Sequence, residues 1–439
     1  TDLLAGQLLR EGMRIVADPR EADAVLVNTC AFLTASQQES IDTILELVET
    51  KKARADQRLL VLGCLAQRHG GRLLEEIPEI DGIVGPGEVH AVAPRIRDWF
   101  GANGDGGARD AGATVRLGGM DRVEEDWDIR VVSRHPHSAY VKISEGCDRT
   151  CSFCIIPKLR GPHRSRSRES IVREVAMLGR MGVREVNLVA QELTAYGVDR
   201  TGRSELAALL GDLEADGAVD WIRLLYTYPS NWSDHLVETI RECSRVVPYV
   251  DLPIQHADPG ILRAMRRPPP DRTRRLLDRL RERIPEVSLR TTLITGFPGE
   301  TEEAFRALVE LVRAIRFDAL GVFAYSTEEG TDAAGLAGEV PEAERERRRG
   351  AILEIQREIA AARAGRRVGS SLTVLIDEVE GGGGAIGRHA GQAPEVDGVT
   401  RIVAGGGPDV RPGEFRRVVV TGSRDYDLEA RLVEMGEPR

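Results

Sequence analysis

Between residues 139 and 325 an extended, apolar segment recurs six times, at 139–144, 185–191, 221–227, 247–254, 287–294 and 318–325, and each is followed by a helical stretch. Strands joined through helices in this way form a parallel sheet with the helices packed outside it. Six such units, over about 190 residues, predict an open, partial (β/α)6 barrel, short of the eight-fold closed form. In parallel barrels the functional groups collect at the carboxyl ends of the strands. The polar residues just past each segment are therefore the candidates for chemistry.

The flanking regions follow other patterns. Residues 1–100 alternate helical and extended runs: a helix over Thr1 to Arg10, a strand over Ala24–Asn28, helical spacing over Ser36–Thr50, a strand at Arg58–Gly63 and a third near Ile83–Pro86. That alternation predicts a parallel α/β sheet covered on both faces. The chain opens in the helix without an initiator Met, whereas a sheet of this kind opens with a strand, so the expectation is that a strand is missing from the N-terminus. The Gly-rich stretch 101–113 reads as linker. Near the other end, SLTVLIDEVE, AIGRHA and FRRVVVTG are short strand-like runs separated by Gly-rich turns, which predicts a small all-β barrel. The predicted organisation is an N-terminally truncated sheet unit at 1–100, a linker at 101–133, the partial barrel at 134–368 and the small barrel at 369–439.

Composition excludes some classes. A net charge of −10 over 439 residues argues against a surface devoted to nucleic acid, and the last unit carries ten Asp/Glu against seven Lys/Arg between 371 and 431. No apolar run reaches the roughly 18–20 residues of a membrane helix, and the first residues lack a signal pattern, which reads as a cytoplasmic protein. Three of the six cysteines fall within eight residues, a poor disulfide framework that reads better as metal ligands.

Those three, in GCDRTCSFC, are Cys147, Cys151 and Cys154, directly after the first barrel segment. A four-iron cube is ordinarily held by four thiolates, so three leave one iron open. An open iron can chelate the amino and carboxylate groups of S-adenosylmethionine, and reductive cleavage of its sulfonium then yields a carbon radical. A structural zinc site is the competing reading and needs a fourth ligand, for which His163 is the nearest candidate. Cys30 and Cys64 each end an apolar strand of the first unit, so if those strands are neighbours both thiols sit at its carboxyl edge. Spacing alone leaves a second metal site and ordinary buried cysteines equally open. Cys243, in a helical run, reads as packing.

EGCDRTCSFCIIPKLRG, VAQELTAYG, DLPIQHA, RRP, LRTTLITGFPGET and FAYSTEEGT together resemble the methylthiotransferases of the radical S-adenosylmethionine superfamily. The resemblance covers nearly the whole chain. It is closest to the branch that modifies an aspartate of small-subunit ribosomal protein twelve, which the APEVDG and YDL strings also resemble. The transfer-RNA branch usually carries a QN-type stretch where this chain has Gln191–Glu192, and a QSGS-like segment at Gln255–His256–Ala257. The resemblance implies two [4Fe–4S] clusters, S-adenosylmethionine, a reduced electron donor, a monomer, and delivery of a methylthio group to the aspartate β-carbon. VNTCAF and GCLAQR look like auxiliary-cluster motifs, which implies Cys30 and Cys64 as ligands. The first auxiliary cysteine of the family pattern belongs to the strand expected to be missing, so the second cluster is expected to be incomplete. A transfer-RNA adenosine methylthiotransferase is the alternative. A cluster-bearing RNA-binding module would need basic and aromatic interleaving in the last unit, and aromatics are only 4% of the chain.

Other site candidates follow from barrel logic. Phe153, just before the third cysteine, offers an edge or face to the adenine, with a core aromatic as the competing reading. Gln191 and Glu192 end the second segment and face the amino group of S-adenosylmethionine; the competing reading is a solvated loop. Gln255 and His256 end the fourth and point toward the cavity, with a core histidine as the competing reading. After the fifth, Gly296 and Gly299 let backbone approach the adenine, while Glu300 caps the following helix. Arg160 and Arg164, in the basic run 158–168, steer an acidic or phosphate-bearing substrate, or form a solvated face.

Overall fold

Strand–helix alternation in the first residues produces a four-stranded parallel sheet ordered Ala24–Thr29, Arg58–Gly63, Gly82–Val84 and Thr114–Arg116. The structure is a computed structural model that describes all residues except 55, 101–112, 126, 128, 133–134, 382, 404–409 and 434–439. Helices Thr34–Lys52 and Cys64–Glu76 cover one face, with Ile44, Val48, Leu65 and Leu73 packed on Val27, Leu59, Val61 and Ile83. Asp2–Arg10 and Val92–Phe100 cover the other through Leu4, Ile96 and Trp99. Much of the expected linker lies outside the described residues, but residues 114–116 are not connection: they form the edge strand of this sheet. Burying both faces is why Arg58–Gly63 reads as an almost continuous apolar run.

The register has a direct consequence for the thiols. Thr29 pairs with Gly63, so Cys30 and Cys64 are the next residues on neighbouring strands. Gly63 sits at φ +96°, and a Cβ there would approach the Thr29 carbonyl oxygen to 2.6 Å, so only glycine lets the two strand ends lie this close.

The six predicted segments form one parallel sheet in sequential order: Ser138–Lys142, Glu185–Val189, Trp221–Leu224, Val246–Asp251, Ser288–Thr295 and Ala319–Ala324. The first and last strands do not pair, which leaves the barrel open. Its core is aliphatic, from Val141, Val186, Leu188, Ile222, Leu224, Val250, Leu289 and Leu293 against the outer helices. Helix Glu342–Gly365 lies along the last strand and leads to a closed five-stranded barrel. That barrel contains the three expected runs and two short strands, Thr400–Ile402 and Asp427–Leu432. No helix among the described residues is long and apolar enough to cross a membrane.

The small barrel joins the larger one through buried charge. Glu185 meets Arg223 at 2.9 Å and Arg388 at 2.7 Å, and Arg388 also meets Asp377, which contacts His137. The Arg223 guanidinium donates to the Ala390 carbonyl at 2.8 Å, and the Tyr249 hydroxyl donates to Asp397 at 2.7 Å. A loop of the C-terminal barrel thus seals one end of the open barrel.

Candidate active site

After its first strand the barrel chain forms a two-residue ribbon, Ser144–Glu145 against Arg164–Ser165, and the cysteine loop is the excursion between them. Gly146 permits the turn: its φ is +79°, and a Cβ would come within 2.0 Å of the Pro162 oxygen. Backbone bonds fix the loop from both sides, Cys147 N to Gly161 O at 3.1 Å and Ser152 N to Met265 O at 3.2 Å. The Ser152 hydroxyl donates to Ala264 O at 2.7 Å. Burial pushes the Cys147 thiol up to about 11 and the Cys154 thiol up to about 12, with the neighbouring cysteines adding to the rise. Desolvated sulfurs gathered on one short loop are thiolates only beside strong positive charge, and three soft sulfur donors suit an iron–sulfur group. Among the described residues no three His, Cys, Asp or Glu side chains converge closely enough to hold one metal ion. A four-iron cube, with its thiolates spread over separate corners, does not require that convergence. Among the described residues His163 does not converge with the thiols as a fourth ligand, and its Nε2 lies 3.1 Å from the Ser165 hydroxyl and 4.0 Å from Asp199.

Beside the loop, Glu192 is buried and is not part of a solvated turn. Its Oε2 accepts from Arg149 Nη2 at 2.8 Å and from Asn231 at 3.3 Å, and its Oε1 accepts from the Thr194 hydroxyl. Arg149 and Arg267 both stack on the Tyr228 ring, 4.3 and 4.2 Å from its centroid. Arg149 N points at Cys147 Sγ at 3.4 Å, and Arg267 Nη1 lies 3.8 Å from Cys151 Sγ. Two cations thus flank the thiols, which is the electrostatic setting a cluster of thiolates needs. Gln191 Oε1 is buried and has no hydrogen-bond partner, an acceptor still available to a ligand. Sequence reasoning missed Arg149, Tyr228 and Arg267, although Arg267 lies in the RRP string.

The residues beyond the fourth and fifth strands bind mainly one another. His256 Nδ1 accepts from Asp258 N at 3.0 Å and its Nε2 lies 3.2 Å from Glu300, with both side chains fully buried. This differs from the expectation that His256 faces the cavity: both ring nitrogens are already engaged. Glu300 does not cap the next helix, because Thr301 is the N-cap. Glu300 instead accepts from Gly296 N at 2.8 Å and from Arg348 at 2.7 Å, so the Gly296 donor is engaged as well. Gln255 holds φ +71°, a left-handed conformation kept by bonds to Thr292 O and Ile294 N. Phe153 is half-buried against Ile261, Met265, Phe297 and Tyr325.

The two arginines expected to meet substrate are also engaged. Arg164 donates to the carbonyls of Arg122, Pro162 and Arg160. Arg160 meets Glu145 at 3.0 Å and donates to Cys64 Sγ at 3.3 Å. Neither is a free steering charge. Cys30 is exposed and Cys64 buried, while Cys243 ends helix Asp234–Glu242 and packs on the barrel core.

An open parallel barrel with a three-thiol loop after its first strand, followed by a small closed β-barrel, defines a radical S-adenosylmethionine enzyme with an appended domain. Family models agree: the radical SAM superfamily matches residues 141–312, the TRAM domain 368–433, and the uncharacterized protein family UPF0004 residues 1–85. The chain is 41% identical to the ribosomal protein uS12 methylthiotransferase RimO of Desulfitobacterium hafniense, over 99% of this chain and 95% of that one. It is 42% identical to the protein of the same name from Symbiobacterium thermophilum, over all of this chain and 88% of that one. The chain belongs to the family of ribosomal protein uS12 methylthiotransferases. Among solved structures, the radical S-adenosylmethionine methyltransferase TsrM from Kitasatospora setae shares the fold, with a TM-score of 0.58 at 20% identity over 74% of this chain and 71% of that one.

Proposed function

We propose that this protein methylthiolates ribosomal protein uS12 at the β-carbon of an aspartate, with a cluster on Cys147, Cys151 and Cys154 and a second, to which Cys30 and Cys64 contribute only part of the ligand set, at the edge of the first sheet. The supporting observation is the meeting of the two thiol-bearing edges, where Arg160 of the triplet helix reaches Cys64 of the first sheet. Cys147, Cys151 and Cys154 would hold the cluster, which when bound would supply the electron for reductive cleavage of S-adenosylmethionine and so the radical chemistry needed at the β-carbon.

The chain's own residues bind and orient. Gln191 offers its unpartnered oxygen to the amino group of S-adenosylmethionine, and Glu192 holds Arg149 against the cysteine loop. Phe153 presents its remaining exposed edge to the adenine, while Glu300 and His256 brace the Gly296 turn beneath it. Residues 1–100, with the edge strand Thr114–Arg116, carry the auxiliary cluster, 134–368 the radical barrel and 369–439 the small substrate-binding barrel. The enzyme acts as a monomer in the cytoplasm, with a reduced electron donor.

The test is anaerobic reconstitution with iron and sulfide, followed by incubation with S-adenosylmethionine, a reductant, and either small ribosomal subunits or transfer RNA. Mass spectrometry should show one methylthio group on uS12 and none on transfer RNA. The reverse labelling would move the enzyme to transfer-RNA modification.

A further inference from the structure

The loop after the last barrel strand, Ser326 to Thr331, touches the helices that carry both thiol sites. Its centre is Glu328, whose side chain is 5% exposed. Glu328 Oε1 accepts from Thr34 N at 2.8 Å and from the Thr34 hydroxyl at 3.0 Å, at the start of the helix that follows Cys30. Its Oε2 accepts from Gln37 at 3.1 Å and from Arg68 Nη1 at 3.2 Å. Arg68 lies on the helix that begins at Cys64, and it also donates to the Ala31 carbonyl at 2.9 Å, one residue past Cys30, and to the Glu329 carbonyl at 2.6 Å. From the other side, Lys158 of the triplet helix donates to Gly330 O at 2.6 Å, and Ala333 N donates to Ser152 O within the triplet loop at 2.8 Å.

With the Ser326 hydroxyl, which donates to Oε1 at 2.9 Å, Glu328 is a buried carboxylate with five donors; leaving it partly paired is costly, so this joint has one well-defined arrangement. Thr34 lacks a side-chain cap from its own helix: the N-cap residue is Leu33, whose side chain has no oxygen to offer. The barrel supplies that cap, and its negative charge faces the positive end of a 19-residue helix. The bonds that complete the Cys30 helix and engage the Cys64 helix therefore come from the radical barrel.

We propose that Glu328, with Arg68, is a positioning latch that fixes the spacing between the triplet and the Cys30–Cys64 edge, so that radical formation at one is matched to methylthio delivery from the other. The latch touches neither substrate nor cofactor. It rests on the reading of Cys30 and Cys64 as auxiliary ligands.

The test uses the full chain with Glu328→Gln, and Arg68→Met as a second variant that opens the latch from the other side. In metal-free protein, amide exchange at residues 34–38 should accelerate in both variants while residues 138–142 keep their protection. In reconstituted enzyme, S-adenosylmethionine cleavage without uS12 should be unchanged, but the 5′-deoxyadenosine formed per methylthio group transferred should rise at least about tenfold, as misplacement by about 1 Å can do. Glu328→Asp should restore part of the coupling. An unchanged coupling ratio, or cleavage and transfer falling in parallel, overturns the latch. Iron analysis of a Cys30→Ser/Cys64→Ser variant is the separate check on the auxiliary site: unchanged iron would refute that reading and the latch's spacing role with it, whereas lost iron with normal coupling in Glu328→Gln refutes the latch alone.

Discussion

Arg160 Nε lies 3.3 Å from Cys64 Sγ, although the two residues belong to different sheets and are 96 positions apart. Arg160 ends the short helix Ile156–Arg160 that follows the cysteine triplet, and Cys64 begins the helix after the second strand of the N-terminal sheet. Ile155 and Leu159 of the same triplet segment are buried in the N-terminal core. The triplet helix is thus shared between two units, and Arg160 brings positive charge, balanced by Glu145, to a buried thiol. On the proposed reading, this contact links the two thiol-bearing sites.

The triplet carries the first prediction. Loss of outer partners of a metal ligand costs about 10–100-fold in affinity or activity, so loss of a ligand itself should exceed that. Cys151→Ala should lower reductive formation of 5′-deoxyadenosine by more than about 100-fold, measured by chromatography after anaerobic reconstitution. Undiminished cleavage would refute the assignment of the loop.

Arg149 supports that loop through Glu192 and should matter in a graded way. Glu192→Gln removes the charge opposite Arg149 but keeps most of the side chain's shape. A buried group left without its charged partner costs about 1–3 kcal/mol, or roughly 10–100-fold in a binding constant. Equilibrium binding should show weaker S-adenosylmethionine affinity of that order, with iron content retained. Unchanged S-adenosylmethionine affinity would mean that the Arg149–Glu192 pair does not shape the ligand site.

The parts legible in sequence were those written in local period or spacing. Arg58–Gly63 and the six barrel segments announce themselves as apolar runs between helices, and GCDRTCSFC announces a ligand set within eight residues. Thr114–Arg116 and Thr400–Ile402 did not, because three residues carry no period. The same limit hid the site's ion pairs. Arg149 and Glu192 are 43 positions apart, and Glu300 and Arg348 are 48 apart, so they become visible only when strand ends are brought together. Arg164 shows the converse error: a basic run suggests a free charge, yet three backbone carbonyls had already claimed its guanidinium.

The buried charge between the barrels makes a stability prediction. Arg388 joins Glu185 of the large barrel to Asp377 of the small one, with its side chain only 4% exposed. Removing one partner of a buried pair strands the others and costs about 3–5 kcal/mol. Arg388→Met should therefore lower the urea midpoint for release of the small barrel, followed by protease sensitivity between residues 365 and 371. Arg388→Lys, which keeps the positive charge between the two carboxylates, should recover part of the loss.

The last prediction concerns pH and follows from His389. Burial, reinforced by Arg367 and Arg223, pushes this imidazole down to about 3 from an ordinary 6.5. Its Nδ1 accepts from Gly391 N at 3.0 Å, at the start of the loop that seals the large barrel, so the folded state holds a neutral ring there. The unfolded chain binds a proton below 6.5 and the folded chain does not, so unfolding takes up protons and stability falls with acidification through that window. The loss begins near 6.5 and continues toward 3, below which both states are protonated and the contribution stays lost. Between about pH 7 and pH 5 it amounts to about 2 kcal/mol. His389→Asn keeps an acceptor for Gly391 but does not titrate. Urea titrations at the two pH values, followed by tryptophan fluorescence with Trp221 packed 4.8 Å from Phe415 across the interface, should show the variant losing about 2 kcal/mol less than the parent. Equal losses in parent and variant would mean that carboxylates elsewhere, and not this histidine, set the acid limit of the interface.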